Sequence, residues 1–85
     1  MTQNADKLFA EYRKVLAEAS IETLIGRYAV QQVRSETAMS IGYLNGCKRS
    51  TPEKWNPEYD EYLVTLHEIN TAACKVLNEV PATCH

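Results

Sequence analysis

Apolar residues recur at helical spacing in the first quarter of the chain. Six positions share one face of an α-helix: Leu8, Phe9, Tyr12, Val15, Leu16 and Ala19, at i, i+1, i+4, i+7, i+8 and i+11. The end of this helix is open to two interpretations. Gly26 can stop a stripe that runs on through Leu24 and Ile25, or Ser20 can cap a new helix from Ile21.

Two shorter helices are predicted in the middle of the chain, over residues 27–33 and 36–45. Asn45-Gly46 is a common helix stop and ends the second of them. The segment "CKRSTPEKWNP" that follows is the one clear loop. Met39 and Tyr43, spaced i and i+4, are expected to form the buried face of the 36–45 helix.

A long last helix is predicted to begin after Asn56-Pro57 and to end at Pro81. Its apolar positions keep helical spacing for about six turns: Tyr59, Tyr62, Leu63, Leu66, Ile69, Ala73, Val76, Leu77 and Val80. No segment alternates as a strand does. The pattern therefore predicts an all-α fold, a small four- or five-helix domain over residues 1–85 with a possible helix-turn-helix and a long C-terminal helix.

Composition and charge limit the classes of function. Eighty-five residues with 45% hydrophobic and 24% charged side chains suit one globular domain with a modest core. The net charge of -2 argues against a uniformly basic surface that binds the phosphates of nucleic acid, but it allows a local basic patch. We expect a cytoplasmic protein, because no secretory signal or membrane-length apolar run is present and the three cysteines are an odd, irregular set.

The stretch "SETAMSIGYLNGCKR", residues 35–49, resembles the recognition helix of Cro-like phage repressors. Ala29 matches the small residue of the preceding scaffold helix, and Ser35 opens the turn between the two helices. "SETAMS" matches the start of the recognition helix, and "YLNG" with the basic pair after it matches the end. The resemblance covers residues 27–52, with one extra residue between Ser40 and Tyr43 and another at Cys47.

This resemblance implies binding to double-stranded DNA by a dimeric regulator of a phage or mobile element. The residues it assigns to base edges are Glu36, Thr37, Ser40 and Ile41. Those assigned to phosphates are Arg34, Lys48 and Arg49. The other interpretation of the same stretch is a corner between two helices, in which Asn-Gly and the basic residues act as cap and solubilising groups.

A homodimer contact is expected on the last helix, because its apolar positions exceed what one thin core can cover. The residues assigned to this contact are Tyr62, Leu66, Ile69, Ala73, Val76 and Leu77. Two recognition helices would then reach half-sites about one turn of DNA apart.

A second hypothesis needs no DNA: the chain is a small acidic inhibitor or adaptor that occupies the surface of a host protein. Phage anti-defence proteins, anti-CRISPR proteins among them, share its size and acidity. The residues assigned to this function are Trp55, Glu58, Tyr59, Asp60, Glu61 and Tyr62. The stretch 57–62 reads "PEYDEY", in which aromatic and carboxylate groups are mixed as at some protein interfaces. A single tryptophan more often packs against the core.

Catalytic and metal chemistry are not expected. Cys47 precedes two basic residues but has no histidine nearby in sequence to act as a base. His67 and Cys74 lie about 10 Å apart on one helix face, too far to share an ion. Cys84 and His85 complete the only metal-ligand set. We therefore predict no enzyme, no cofactor and no metal site.

Overall fold

The structure, a computed structural model, describes residues 2–78, so Val80, Pro81, Cys84 and His85 lie outside the described residues. The described part contains four α-helices, one short 3-10 helix and no strand. The α-helices are α1 (Thr2–Leu8), α2 (Ala10–Glu18), α3 (Leu24–Ser50) and α4 (Glu58–Leu77), with the 3-10 turn Pro52–Lys54 between α3 and α4. The predicted all-α class is confirmed.

Helices α3 and α4 form an antiparallel hairpin, and α1 and α2 lie along it. One core cluster joins Val30 and Val33 of α3 to the C-terminal half of α4, and apolar residues of α2 pack against it. A second cluster joins Ile41 of α3 to Leu63 and Leu66 of α4. Trp55 packs against this second cluster, as a single tryptophan in a small domain usually does.

The turn predicted at Ser35 and the helix end predicted at Asn45-Gly46 are wrong, because α3 runs through both positions without a break. Four buried residues of α3 explain its continuity: Val30, Val33, Thr37 and Ile41. They follow the spacing i, i+3, i+7 and i+11, so one uninterrupted face packs on α4. Burying this face outweighs the cost of about 1 kcal/mol for a glycine inside a helix. No glycine among the described residues has a positive φ.

The start of α3 is fixed by a close contact with the preceding turn. Thr23 caps the helix: its Oγ1 accepts from the Gly26 amide at 2.9 Å and donates to the Ser20 carbonyl at 3.0 Å. Gly26 is buried in the first turn rather than ending a helix. A Cβ at Gly26 would lie 1.9 Å from the Ser20 carbonyl oxygen, so only glycine fits.

The predicted first helix is broken at Phe9, which separates α1 from α2 with φ -106° and ψ 19°. The Phe9 ring packs against both core clusters. It stacks on Tyr12 at a centroid distance of 6.0 Å and meets Tyr62 edge-on at 6.1 Å. The break therefore lies where one ring joins the two halves of the core.

A buried polar network lies between α3 and α4. Thr37 and Asn70 are almost fully buried. The Asn70 amide nitrogen Nδ2 donates to Thr37 Oγ1 and to the Arg34 carbonyl, both at 3.0 Å. The Thr37 hydroxyl donates to the Val33 carbonyl at 2.7 Å. Thr37 is therefore part of the helix contact, and its predicted role in contacting bases is wrong.

The dimer contact predicted on the last helix is wrong for most of its residues. Four of them are buried in the core of their own chain: Leu66, Ile69, Ala73 and Leu77. Tyr62 is half-buried beside Phe9, and Val76 alone is exposed. The apolar residues of α4 thus pack against α1, α2 and α3 of the same chain.

Candidate functional site

An apolar groove opens between three helical walls. The α1–α2 junction, the second half of α3 and the first half of α4 contribute its lining: Leu8, Phe9, Met39, Ser40, Tyr43, Leu44, Tyr62 and Leu66. Its volume is about 440 Å³, and none of these residues carries a charge. Leu8, Met39 and Tyr43 are mostly exposed, so this apolar surface faces water.

Five aromatic rings continue the groove along the side of the molecule. The order of the rings is Trp55, Tyr59, Tyr62, Phe9 and Tyr12, with successive centroids 5.4 to 6.1 Å apart. At the α2 end, the Tyr12 hydroxyl donates to a carboxylate oxygen of Glu36 at 2.9 Å. Burial and this carboxylate raise the pKa of Tyr12. Glu11 lines an adjoining hollow with Leu8 and Phe9, so this end of the groove is acidic.

The PEYDEY stretch divides between two sides of α4. Tyr59 and Tyr62 join the aromatic row. Asp60 and Glu61 line a separate hollow on the other side, which we call the acidic hollow. Its lining is Asp6, Arg13, Asp60, Glu61, Val64, Thr65 and Glu68. Arg13 is shared between Asp6 and Glu68 at 3.5 and 3.4 Å. The predicted aromatic and acidic patch is therefore two surfaces, while Glu58 is half-buried at the start of α4.

Asp60, in the first turn of α4, contacts the last turn of α3 and the tryptophan that precedes α4. Its Oδ1 accepts from Lys48 Nζ at 2.8 Å and from the Trp55 indole at 3.3 Å. The Lys48 hydrogen bond is the main cause that holds the pKa of Asp60 below its ordinary value. The Lys48 ammonium also lies 5.4 Å from the Trp55 ring centroid. The Lys48 ammonium thus contacts Asp60 and Trp55 of its own chain.

The Asp60 contacts predict an acid-side fluorescence change of Trp55. The folded state lowers the pKa of Asp60. The contact between Asp60 and Lys48 is therefore fully formed at pH values above the ordinary pKa of an aspartate, and it is lost as the pH falls through the lowered pKa. A fluorescence titration should therefore show a midpoint below that of an ordinary aspartate. In Lys48→Met the midpoint should rise. An unchanged midpoint in Lys48→Met would contradict the assignment, and circular dichroism must show both proteins folded throughout.

The residues predicted to contact DNA do not form one surface. Thr37 and Ile41 are buried, so their expected contacts with bases are wrong. Ser40 lines the apolar groove, and Glu36 accepts from Tyr12. Of the predicted phosphate contacts, Arg34 is half-buried with its carbonyl bonded to Asn70, Lys48 binds Asp60, and Arg49 is exposed.

The described part of the chain contains neither a cluster of metal ligands nor a helix suited to span a membrane. Within residues 2–78, no three histidine, cysteine or carboxylate groups come close enough to hold an ion. Cys74 is buried, where its thiol donates to Asn70 Oδ1 at 3.8 Å, and Cys47 is half-buried. None of the described helices combines the length and apolar character that crossing a bilayer requires.

No protein-family model, curated protein or solved structure matches this chain. The assignment of a site therefore rests on its geometry.

Sequence reasoning missed the groove because its walls are far apart in the chain. Leu8, Met39 and Tyr62 come from three different elements. The one signal in the sequence is the pair Met39 and Tyr43, whose i, i+4 spacing predicts a buried face. Both side chains are instead exposed, since the buried face of α3 is the opposite one.

Proposed function

We propose that this chain is a protein-binding module, an inhibitor or adaptor, that holds an amphipathic α-helix of a partner protein in the apolar groove. The single observation that carries the proposal is the groove itself: an uncharged lining drawn from three helices, in which Leu8, Met39 and Tyr43 are exposed. Apolar grooves between helices commonly bind a helix through side chains at i, i+3 or i+4, and i+7. The cytoplasmic location expected from the sequence belongs to this proposal.

Aromatic residues give the groove the composition of a protein-binding surface. Tyrosine, phenylalanine, tryptophan and methionine are enriched at interfaces: the aromatic side chains bury much area with few rotatable bonds, and the flexible methionine adapts to the shape of a partner. Tyr43, Tyr62 and Phe9 line the groove together with Met39. Trp55 and Tyr59 extend it toward the 3-10 turn.

Charge indicates which helix fits. The carboxylates of Glu11 and Glu36 lie beside Tyr12 at one end of the groove. A lysine or arginine next to the apolar stripe of the incoming helix would meet them there. The expected partner segment is therefore apolar on one face and basic at one end.

The continuous α3 gives DNA binding less support than the sequence did. A helix-turn-helix reads bases with a second helix set at an angle to the first, and α3 has no such turn. Anisotropy of a labelled random-sequence duplex tests this alternative. We expect no salt-dependent binding by the wild type. Tight binding at low salt that is lost in Arg49→Ala would favour the DNA hypothesis.

A display selection of 20-residue helical peptides, with the folded protein as target, tests the groove. Leu8 is 60% exposed, so Leu8→Glu should fold normally and place a charge on the groove wall. We expect this change to weaken the selected peptides by about tenfold or more, because a buried leucine contributes about 1.5–3 kcal/mol.

Val64→Glu is the matched control, since Val64 is 57% exposed but lies in the acidic hollow. It should leave peptide affinity unchanged. Peptides that bind Leu8→Glu as tightly as the wild type would contradict the proposal. So would a selection that yields peptides without helical apolar spacing.

A further inference from the structure

Helix α3 has a long outward face without a charged residue. At 100° per residue, ten residues lie within a sector of about 120° opposite the core: Leu24, Ile25, Tyr28, Gln31, Gln32, Ser35, Met39, Gly42, Tyr43 and Gly46. The nearest charged residues within this span, Arg27, Arg34 and Glu36, fall outside the sector. We call these ten residues the uncharged face.

The uncharged face exposes large apolar side chains. Leu24 is 87% exposed and Ile25 is 85% exposed, and Tyr28, Met39 and Tyr43 are each more than 60% exposed. A helix at the surface of a monomer normally places polar and charged residues here. These side chains form two exposed apolar groups, with Gln31, Gln32 and Ser35 between them, and exposed apolar groups on one helix face indicate an interaction site.

The shape of the uncharged face is complementary to itself. Leu24 and Tyr28 precede Ser35 by eleven and seven residues, while Gly42 and Gly46 follow it by seven and eleven. A Cβ added at either glycine would meet no atom within 4 Å, so the glycines form an open notch. In an antiparallel pair of α3 helices with a two-fold axis at Ser35, Leu24 faces a glycine at 46 and Tyr28 faces a glycine at 42.

We propose that two copies of this chain associate through α3, antiparallel, with the two-fold axis at Ser35. Leu24 then packs on Gly46 of the partner subunit and Tyr28 on Gly42 of the partner subunit, each contact occurring twice as two-fold symmetry requires. Because the face carries no charge, the pairing brings no like charges together within it. Glycine allows the two backbones to approach closely.

The length of the face is compatible with a modest dimer. From Leu24 to Gly46 the helix extends about 33 Å, and two such faces bury on the order of 1,000 Å² in total. That area is near the lower limit for a specific interface, so we expect dissociation in the micromolar range. Met39 and Tyr43 belong to both the uncharged face and the apolar groove, so pairing through α3 covers the α3 wall of the groove.

Sedimentation equilibrium of the full chain from about 1 to 500 μM tests the dimer. The double variant Gly42→Ala, Gly46→Ala should melt at a higher temperature, since alanine favours helix, yet dissociate about tenfold more readily. Val64→Ala, on the other side of the molecule, should leave the dissociation constant unchanged. A wild type that stays monomeric throughout overturns the proposal, as does undiminished association of the double variant.

Oxidative cross-linking tests the register. In the proposed pair, Ser35→Cys places two thiols next to each other across the axis, so a disulfide between residues 35 should form readily. Ser50→Cys lies on the same side of α3 but fifteen residues from the axis, so its two copies are about 45 Å apart. A Ser50→Cys disulfide as fast as that of Ser35→Cys overturns the antiparallel register and indicates parallel pairing.

Discussion

Gly26→Ala should lower the free energy of unfolding by about 3 kcal/mol, the largest effect expected from replacing a glycine of α3 by alanine. The new Cβ would lie 1.9 Å from the Ser20 carbonyl oxygen, a backbone atom that no side-chain rotation can move away. Relief requires a shift of the turn at Ser20 or of the first turn of α3. Either shift strains the Thr23 cap, whose Oγ1 is 2.9 Å from the Gly26 amide.

Urea unfolding followed by circular dichroism measures this change. Gly42→Ala is the matched control, because nothing lies within 4 Å of its added methyl group. At low micromolar protein it should stabilise the chain by up to about 1 kcal/mol, through helix propensity alone. Equal effects of the two substitutions would show that the contact at Ser20 does not constrain α3.

Asn70→Ala should also cost about 3 kcal/mol, because it removes the two hydrogen bonds that the amide donates and the one it accepts, and leaves a void between α3 and α4. The Asn70 amide bonds to Thr37 Oγ1 and to the Arg34 carbonyl at 3.0 Å each. Its Oδ1 is also 3.8 Å from the Cys74 thiol, which donates to it. Thr37→Val removes one acceptor from the buried amide and should cost about 1–3 kcal/mol.

A double-mutant cycle with Thr37→Val and Asn70→Leu separates the network from simple packing. Replacing both partners by apolar side chains leaves no unpaired polar group at that contact, so the pair should cost less than the sum of the single changes. Asn56→Ala, in an exposed turn where Asn56 accepts from the Glu58 amide, is the control and should cost about 1 kcal/mol. Additive effects at Thr37 and Asn70 would contradict the network.

Much of the fold could be predicted from helical periodicity. The apolar stripe packs on the core over residues 9–19, and the long last helix begins within two residues of Asn56-Pro57. The continuity of α3 could not be predicted from local signals. Ser35 and Asn45-Gly46 are typical of caps and stops, and Thr37 is a polar residue within the buried stripe, so the spacing of Val30, Val33, Thr37 and Ile41 was obscured.

The site could be predicted only in part. The aromatic residues Trp55, Tyr59 and Tyr62 were assigned to a partner surface, and the structure aligns their rings in one row. Their carboxylate neighbours Asp60 and Glu61 face another hollow, since successive helix positions diverge by about 100°. The role of Leu8 depends on how α1 lies against α3 and α4, which no local pattern specifies.

Mapping a selected helical peptide on the protein by NMR is the most direct test of the proposed function. The peptide would be titrated into isotope-labelled protein, and shifts of backbone and ring resonances would be followed. We expect the changes to concentrate at Leu8, Tyr43 and Tyr62, with basic peptide residues nearest Glu36. Changes concentrated instead at Val64 and Glu68, across the acidic hollow, would contradict it.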